Sequence, residues 1–459
     1  MNAQAALAGL WQLAGLPGEA LDSCTFTGSD PVHPSSFAVA TAAQATIGAA
    51  ALAACELGHA RGVPRQTVSV DAAHASAECL AWFRLDGRVP ELWDKFSGLY
   101  RARDGWVRLH ANFAHHRDGA LRLLGLDPAT ADRAAAERAM LAWDAREFET
   151  AAAHAGLVAS ALRTFAQWDA TEAGRAIAAQ PLMTITRIGD APPRALPPLA
   201  ASQRPLEGVR VLDLTRILAG PVGGRALAAY GADVMLVNAP HLPNIEAIAE
   251  TSRGKRSALA DLRTPAGRGT MDGLLQEAHV FLQGYRPGAL QALGHGPAEL
   301  ARRRPGLVYV SLSAYGPQGP WQDRRGFDSL VQAATGFNFA EAEAAGDPAK
   351  PRPLPMQILD QATGYLIAFG ASAALWRQQR EGGSWHVQVS LAQTGHWLRG
   401  LGRIPDGFDA VPPPLEPFLE TTDSGFGRLT AVRHSAQLGR TPAAWVRPSA
   451  PPGSSAARW

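Results

Sequence analysis

The chain has 459 residues, 46% of them apolar, and Lys+Arg 43 against Asp+Glu 41 leaves a net charge of +2. That is apolar material for a substantial core and length for two or three domains. The basic residues are scattered, with no run able to grip a phosphate backbone, so no nucleic-acid partner is expected.

At the N-terminus, "MNAQAALAGLWQLAGLPGEA" lacks a basic leader and is broken by glycine and proline. It does not read as a secretory signal, and a cytoplasmic location is expected. Cys24, Cys55 and Cys79 lack metal-ligand spacing and read as small core residues in a reducing compartment. The charge-free run "FAVATAAQATIGAAALAA", residues 37 to 54, is long enough to raise a membrane question. Its alanine, threonine and glutamine are too weakly apolar for insertion, so it predicts a closely packed buried helix and no membrane partner.

That run opens an internal repeat. "AAQATIGAAALAACELGHARGVPRQTVSVDAAHASAECLAWF" echoes "LDQATGYLIAFGASAALWRQQREGGSWHVQVSLAQTGHWLRGL": an apolar helix, a polar turn, an alternating strand and another helix. After the first copy, "LYRARDGWVRLHANFAHHRDGALRLLGL" reads as strand, turn at Asp104-Gly105, strand and helix, a small α+β unit. Its His110, His115 and His116 lack a matching acid or cysteine pattern and read as a polar face of that unit rather than a metal site. Helices are expected from about 127 to 171, and the proline-rich "DAPPRALPPLAASQRPLEG", residues 190–208, reads as a linker. The division is therefore 1–189, the linker 190–208, a large domain 209–403, and a surface tail 404–459.

"VRVLDLTRILAGPVGGRALAAYGADVMLVN", residues 209 to 238, reads as strand, glycine-bearing loop, helix, strand, and "AHVFLQGY" and "GLVYVSLSAYG" add buried strands. This predicts an α/β fold: a doubly wound parallel sheet, Rossmann-like, as a large domain with a smaller α+β domain. A nicotinamide cofactor is not expected. The loop Gly220-Pro221-Val222-Gly223-Gly224 does not fit G-x-G-x-x-G, and the second strand ends on Asn238 where an acid would hold the ribose hydroxyls. Further on, "GPWQDRRGFDSLVQAATG" sets Asp328 before an apolar helical run, where a carboxylate serves as a helix cap.

Taken in order, "LEGVRVLDLTRILAGP", "YGADVMLV", "SRGKRSALADL", "YRPGALQALG", "RPGLVYVSLSAYGPQGPWQDRRGFDSLVQAATG" and "ILDQATGY" resemble the class III CoA-transferases, the family of formyl-CoA and carnitine-CoA transferases and of 2-methylacyl-CoA racemases. The resemblance covers residues 206 to about 400 closely. The first half looks like the family's later portion, so the parts stand in permuted order with an overlap at the repeat. The resemblance implies a transfer of CoA from an acyl-CoA to a carboxylic acid, with no permanently bound cofactor and CoA as substrate. It makes Asp328 the nucleophile, able to form a mixed anhydride and an aspartyl-CoA thioester. It places Arg253, Lys255, Arg256 and Arg286 near CoA, and Ile217, Leu218 and Ala219 beside the reacting thioester. It also implies a homodimer of interlocked subunits.

Three departures qualify this. Asn238 and "HLPNIEAIAE" replace an acid and a G-D element, and no run of three or four glycines shields the aspartyl intermediate. A racemase needs a His and an Asp on opposite faces of the substrate's α-carbon. The one histidine between Arg286 and Asp328 is His295, which reads as a surface residue. A silent acyl-CoA-binding member is the third reading, since one copy of the repeat lacks an equivalent Asp.

Overall fold

The computed structural model describes residues 1–459. In the first half, the predicted buried run becomes helix α1 (Val39–His59), every residue of which from Val39 to Gly58 is buried. The second repeat copy supplies helix α4 (Ile358–Glu381). These are the two helices long and apolar enough to cross a membrane, and both are wholly enclosed inside the protein. They pack on each other within the main hydrophobic core.

The main sheet has seven strands: β1 (Met183–Gly189), β2 (Arg210–Leu214), β3 (Asp233–Asn238), β4 (Arg256–Leu259), β5 (Val280–Gln283), β6 (Val308–Ser313) and β7 (Ser384–Ser390). Their spatial order is β4-β3-β2-β5-β6-β7-β1. All neighbours are parallel except β1, which runs antiparallel to β7. The six parallel strands follow the doubly wound order in which the chain reverses direction between β2 and β5. Near-continuous apolar strands such as Val-Met-Leu-Val at 234–237 suit a sheet covered on both faces.

Helix α2 (Ala219–Ala229) follows β2 and crosses α4 closely. A Cβ on Gly364 would come 2.7 Å from the Ala219 carbonyl oxygen and 2.6 Å from Val222 Cγ1, and one on Gly223 would come 2.9 Å from the Gly364 carbonyl. Because backbone cannot yield as a side-chain tip can, Gly364→Ala is expected to cost about 1–3 kcal/mol in urea denaturation. An unchanged midpoint would show that the two helices separate freely.

The repeat is real at the level of local structure. The first copy runs helix α1, strand Val68–Asp71, helix Ala72–Cys79; the second runs α4, β7, helix Leu391–Gly400. Equivalent residues cap the second helices: Asp71 accepts the His74 N–H at 3.0 Å, and Ser390 Oγ accepts that of Gln393 at 3.2 Å. The strands nevertheless join different sheets. Val68–Asp71 lies between the parallel strand Cys24–Thr27 and the antiparallel strand Ala436–Leu438.

Two expected divisions are corrected. The boundary at 190–208 does not separate two cores. β1 from the first half is an edge of the main sheet, and Arg61 fastens the linker through the carbonyls of Pro197, Pro205 and Glu207 at 2.8–3.1 Å. The small α+β unit has a core of its own, from Phe96 to Ala161 around the sheet Gly98–Arg101, Trp106–Leu109, Ala159–Ala161. Nor is 404–459 a surface tail. Leu419–Ser424 and Gly427–Val432 form a ribbon paired with Phe83–Leu85, and Leu429, Ala431, Val432, Ala436 and Leu438 are buried. Prolines hid the alternating strand in "GRLTAV", which reads as a strand once its partner is known.

Candidate active site

Helix α3 (Asp328–Thr335) begins on the acid itself. Phe327 is the N-cap and no side chain closes the first turn, so Asp328 does not cap the helix as its position suggested. Its carboxylate is wholly enclosed. One oxygen accepts the side-chain amide of Gln332, one helical turn along on the same face; the other accepts the backbone N–H of Asp360 at 3.0 Å. Gln332 is held in turn, its Oε1 accepting the Leu354 N–H at 2.8 Å, which turns the NH2 toward Asp328.

These partners are neutral. Burial therefore dominates and pushes the Asp328 pKa up from 3.8 to about 6, against the lowering effect of the two hydrogen bonds and of Arg108. Asp360, in the first turn of α4, is also enclosed; burial and the charge of Asp328 hold its pKa well above the carboxylate range. Each carboxyl disfavours the other's charge, so the two titrate as a pair that holds a proton more readily than an exposed carboxylate would. The nucleophilic attack that the resemblance implies for Asp328 would need the carboxylate, so an acylation rate is expected to fall tenfold per pH unit below about 6 and to be flat above. Stopped-flow acylation between pH 5 and 8 checks this, and a flat profile down to pH 5 would sink it.

Two cavities reach this pair, one lined by Asp360 and the other by Asp328. The first, about 430 Å³, lies at the reversal point of the sheet, lined by Leu214, Arg216, Ile217, Leu218 and Ala219 after β2 and by Gly284, Tyr285 and Arg286 after β5. That is where doubly wound sheets bind ligands. Asp360, Arg324, Arg325 and Phe327 also line it, as do Phe113, His115 and His116 of the small unit. The second cavity, about 340 Å³, includes Asp328 itself. Strain gathers here: Ile217, Met356 and Gln357 are non-glycine residues in left-handed backbone, at φ 77°, 68° and 43°.

The small unit fixes the segment before Asp328. Arg324 stacks on Trp321 at 3.9 Å and pairs with Glu149 at 3.5 Å, while the Arg163 N–H donates to the Ala333 carbonyl at 3.1 Å.

Of the residues proposed from sequence, Ile217, Leu218, Ala219 and Arg286 line the 430 Å³ cavity together, whereas Asp328 lines the other cavity, its neighbour Asp360 lining the first. Arg253, Lys255 and Arg256 do not line either. Arg253 pairs with Glu250 and Glu420 and stacks on Trp445 at 3.8 Å. Lys255 is enclosed, its Nζ donating to Asp213 at 2.9 Å and to the Pro221 carbonyl at 2.8 Å, which ties β2 to the start of α2. Arg256 pairs with Asp233 at 3.4 Å beside Trp459. The histidines also differ from expectation. His295 is buried, its Nδ1 beside the Leu293 carbonyl, and His110 is buried and stacked on Phe327 at 4.0 Å rather than forming a polar face.

Sequence reasoning missed Gln332, Asp360 and Arg216. Gln332 was accessible through its i+4 spacing from Asp328, and Arg216 and Asp360 sit inside quoted motifs.

The sequence profile of CoA-transferase family III matches residues 206–401. An acyl-CoA transferase of Gibberella moniliformis is 31% identical over 417 residues, covering 81% of this chain and 72% of that one. A probable fatty acyl-CoA transferase of Mycobacterium tuberculosis is 36% identical over 208 residues, 42% of this chain and 52% of its own length. A succinate–glutarate CoA-transferase of Agrobacterium fabrum is 33% identical over 265 residues, 51% of this chain and 65% of its own. A crystal structure of the M. tuberculosis protein superposes with a TM-score of 0.40 at 37% identity, over 43% of this chain and 56% of that one.

Proposed function

This chain belongs to the class III CoA-transferases, and from that premise we propose that it moves CoA from an acyl-CoA to a carboxylic acid through covalent catalysis by Asp328. The observation that carries the reading is a buried carboxylate, held by neutral donors and poised near pH 6, that lines one cavity while its neighbour Asp360 lines the next.

The steps balance without a net proton. An Asp328 oxygen attacks the thioester carbonyl, the C–S bond breaks, and CoA thiolate leaves a mixed anhydride. The thiolate then attacks the Asp328 carbonyl carbon and releases the donor acid, leaving an aspartyl-CoA thioester. The acceptor carboxylate displaces the thiolate to form a second anhydride. Attack of thiolate on the acceptor's carbonyl yields the new acyl-CoA and restores Asp328.

The 430 Å³ cavity is assigned to the CoA end. The start of α2 carries no side-chain cap, so its N–H groups are available to developing negative charge, and Arg216, Arg286 and Arg325 supply cations for phosphate. The three cysteines are free and buried, which suits the reducing, cytoplasmic setting we assign.

The test is isotopic. With an 18O-labelled acceptor acid, one labelled oxygen lodges on Asp328 in a turnover and leaves on donor acid released later; label that never reaches the donor acid rules the anhydride route out. One observation favours a second reading: Asp360 and His116 line the same cavity. Burial favours the protonated form of Asp360 and the neutral form of His116, whose pKa is down at about 4, so the cavity holds an acid and a base of the kinds a racemase uses. That reading requires deuterium from D2O at the acyl α-carbon without passage of 18O between acids.

A further inference from the structure

Turnover through Asp328 makes its two oxygens unequal. The oxygen that attacks the donor thioester departs with the donor acid when CoA thiolate attacks the Asp328 carbonyl carbon, and an oxygen of the acceptor acid later takes its place. The other oxygen stays on Asp328 throughout. It carries the negative charge each time that carbon becomes tetrahedral, once under attack by thiolate and once under attack by the acceptor carboxylate.

The hydrogen bonds tell the two apart. Asp360 lines the 430 Å³ cavity assigned to CoA, so the oxygen that accepts its N–H is the one on the thioester side and makes the attack. The oxygen that stays is Oδ1, and the side-chain amide of Gln332 donates to it. Gln332 is enclosed, and its far end is fixed: the Leu354 N–H at 2.8 Å can be met only by the amide oxygen, which leaves the NH2 no other orientation. Met356 and Gln357, both in left-handed backbone, lie between the Leu354 and Asp360 N–H groups, so the strain falls on the segment that aims both donors.

A neutral donor suits that place. An arginine there would hold Asp328 as a carboxylate and blunt its attack, whereas an amide bonds weakly to a carbonyl and more strongly to an oxyanion.

We propose that Gln332 is a catalytic residue, its NH2 donating to the Asp328 oxygen that becomes an oxyanion when first the mixed anhydride and then the aspartyl-CoA thioester is attacked. In each event sulfur or acceptor oxygen bonds to the Asp328 carbonyl carbon and the C=O electron pair moves onto Oδ1. Its return breaks the bond to the donor acid or to CoA, and Gln332 keeps its proton throughout. The same hydrogen bond steadies the starting carboxylate, so it does nothing for the first attack and serves only the later ones. The proposal rests on the transferase reading and adds a group to it.

The test reads the steps separately in Gln332→Met, which keeps the length and loses the amide. Acetyl-CoA, succinyl-CoA and palmitoyl-CoA are mixed with wild type at pH 8, and the donor that labels it fastest is carried to the variant. Quenched samples are weighed intact, so that acyl and CoA adducts separate by mass. Acylation of the variant is expected to stay within about threefold of wild type, which also certifies its fold, while conversion of acyl adduct to CoA adduct slows by about 10²-fold and the acyl adduct accumulates. The isolated CoA adduct should react with the donor's own free acid more slowly by a similar factor.

A variant in which both steps slow alike, or in which neither slows, overturns the proposal. If Gln332→Met does not acylate, Gln332→Glu, which keeps the size and the bond to Leu354 without the NH2, is read by the same split. Loss of acylation in both places Gln332 in the fold or the first attack, and the proposal falls. Wild type that takes no adduct from any donor removes the transferase reading instead.

Discussion

Asp328→Ala is expected to lower the transfer rate by at least about 10³-fold and to abolish the covalent adduct seen by intact-protein mass spectrometry after mixing with acyl-CoA donors. The reason is geometric as well as chemical. Asp328 is enclosed, its oxygens are placed by Gln332 and the Asp360 N–H, and burial together with the Asp328 charge disfavours the carboxylate of Asp360, which makes it a poor substitute nucleophile. Hydroxylamine should cleave the native adduct and convert Asp328 to its hydroxamate, the signature of an activated carboxyl. Loss of activity must not be confused with unfolding. Asp328 is held against a burial penalty, so removing its charge should leave thermal stability unchanged or raised. Asp328→Asn, which keeps the shape, should be equally silent. An adduct that persists in either variant would remove Asp328 from the chemistry.

The second large effect concerns stability. Glu78→Ala is expected to destabilise the chain by about 3–5 kcal/mol, because it strands buried polar and charged partners drawn from three distant segments. Glu78 is enclosed and accepts from Tyr365 Oη at 2.6 Å and from the Ser435 N–H and Oγ–H at 2.8 and 2.7 Å, with His434 Nδ1 at 2.9 Å and Arg225 Nη2 at 3.4 Å. Arg225 also pairs with Glu250, which pairs with Arg253, and both arginines lie over Trp445. Burial by itself would raise the Glu78 pKa, but His434, Arg225 and Tyr365 together hold it well below the ordinary 4.5. A depressed carboxylate stabilises above its unfolded pKa and is lost only as pH falls through the folded one. The gap between wild type and Glu78→Ala should therefore be full at pH 7 and shrink only below about pH 4.5. Denaturant titrations at pH 7 and in acid measure it; a difference under about 1 kcal/mol at pH 7 would mean the cluster is not a clasp.

The same cluster marks where sequence reading stops. The doubly wound sheet was legible because its strands are short apolar runs separated by glycine turns and helices, a pattern local to each stretch of about thirty residues. Asp328 stood out only through the family resemblance; locally, an acid before an apolar helical run reads as a cap, and the helix does not use it as one. The charges of "SRGKRS" were not: Arg253 meets Glu420 and the Val432 carbonyl, partners 167 and 179 residues away, and nothing local distinguishes that from a phosphate contact. The strand Ala436–Leu438 was hidden likewise, because its partner lies in the first repeat copy. Arg108 carries no local sign either, since in "DGWVRL" it reads as an ordinary outward strand position.

Pairing across the whole chain also bears on how the protein is made. The strand Val68–Asp71 stays an unfinished edge, and Glu78 an unmatched charge, until Ala436–Leu438 and His434 have been synthesised, the latter 356 residues later. At about 5 to 20 residues per second that is a wait of roughly 20 to 70 s, with helix α1 lacking its mate α4 for most of it. The nascent chain thus leaves the ribosome with a 21-residue apolar helix uncovered. Chaperone engagement during translation is the natural outcome, with folding completed only when the last strand slots in.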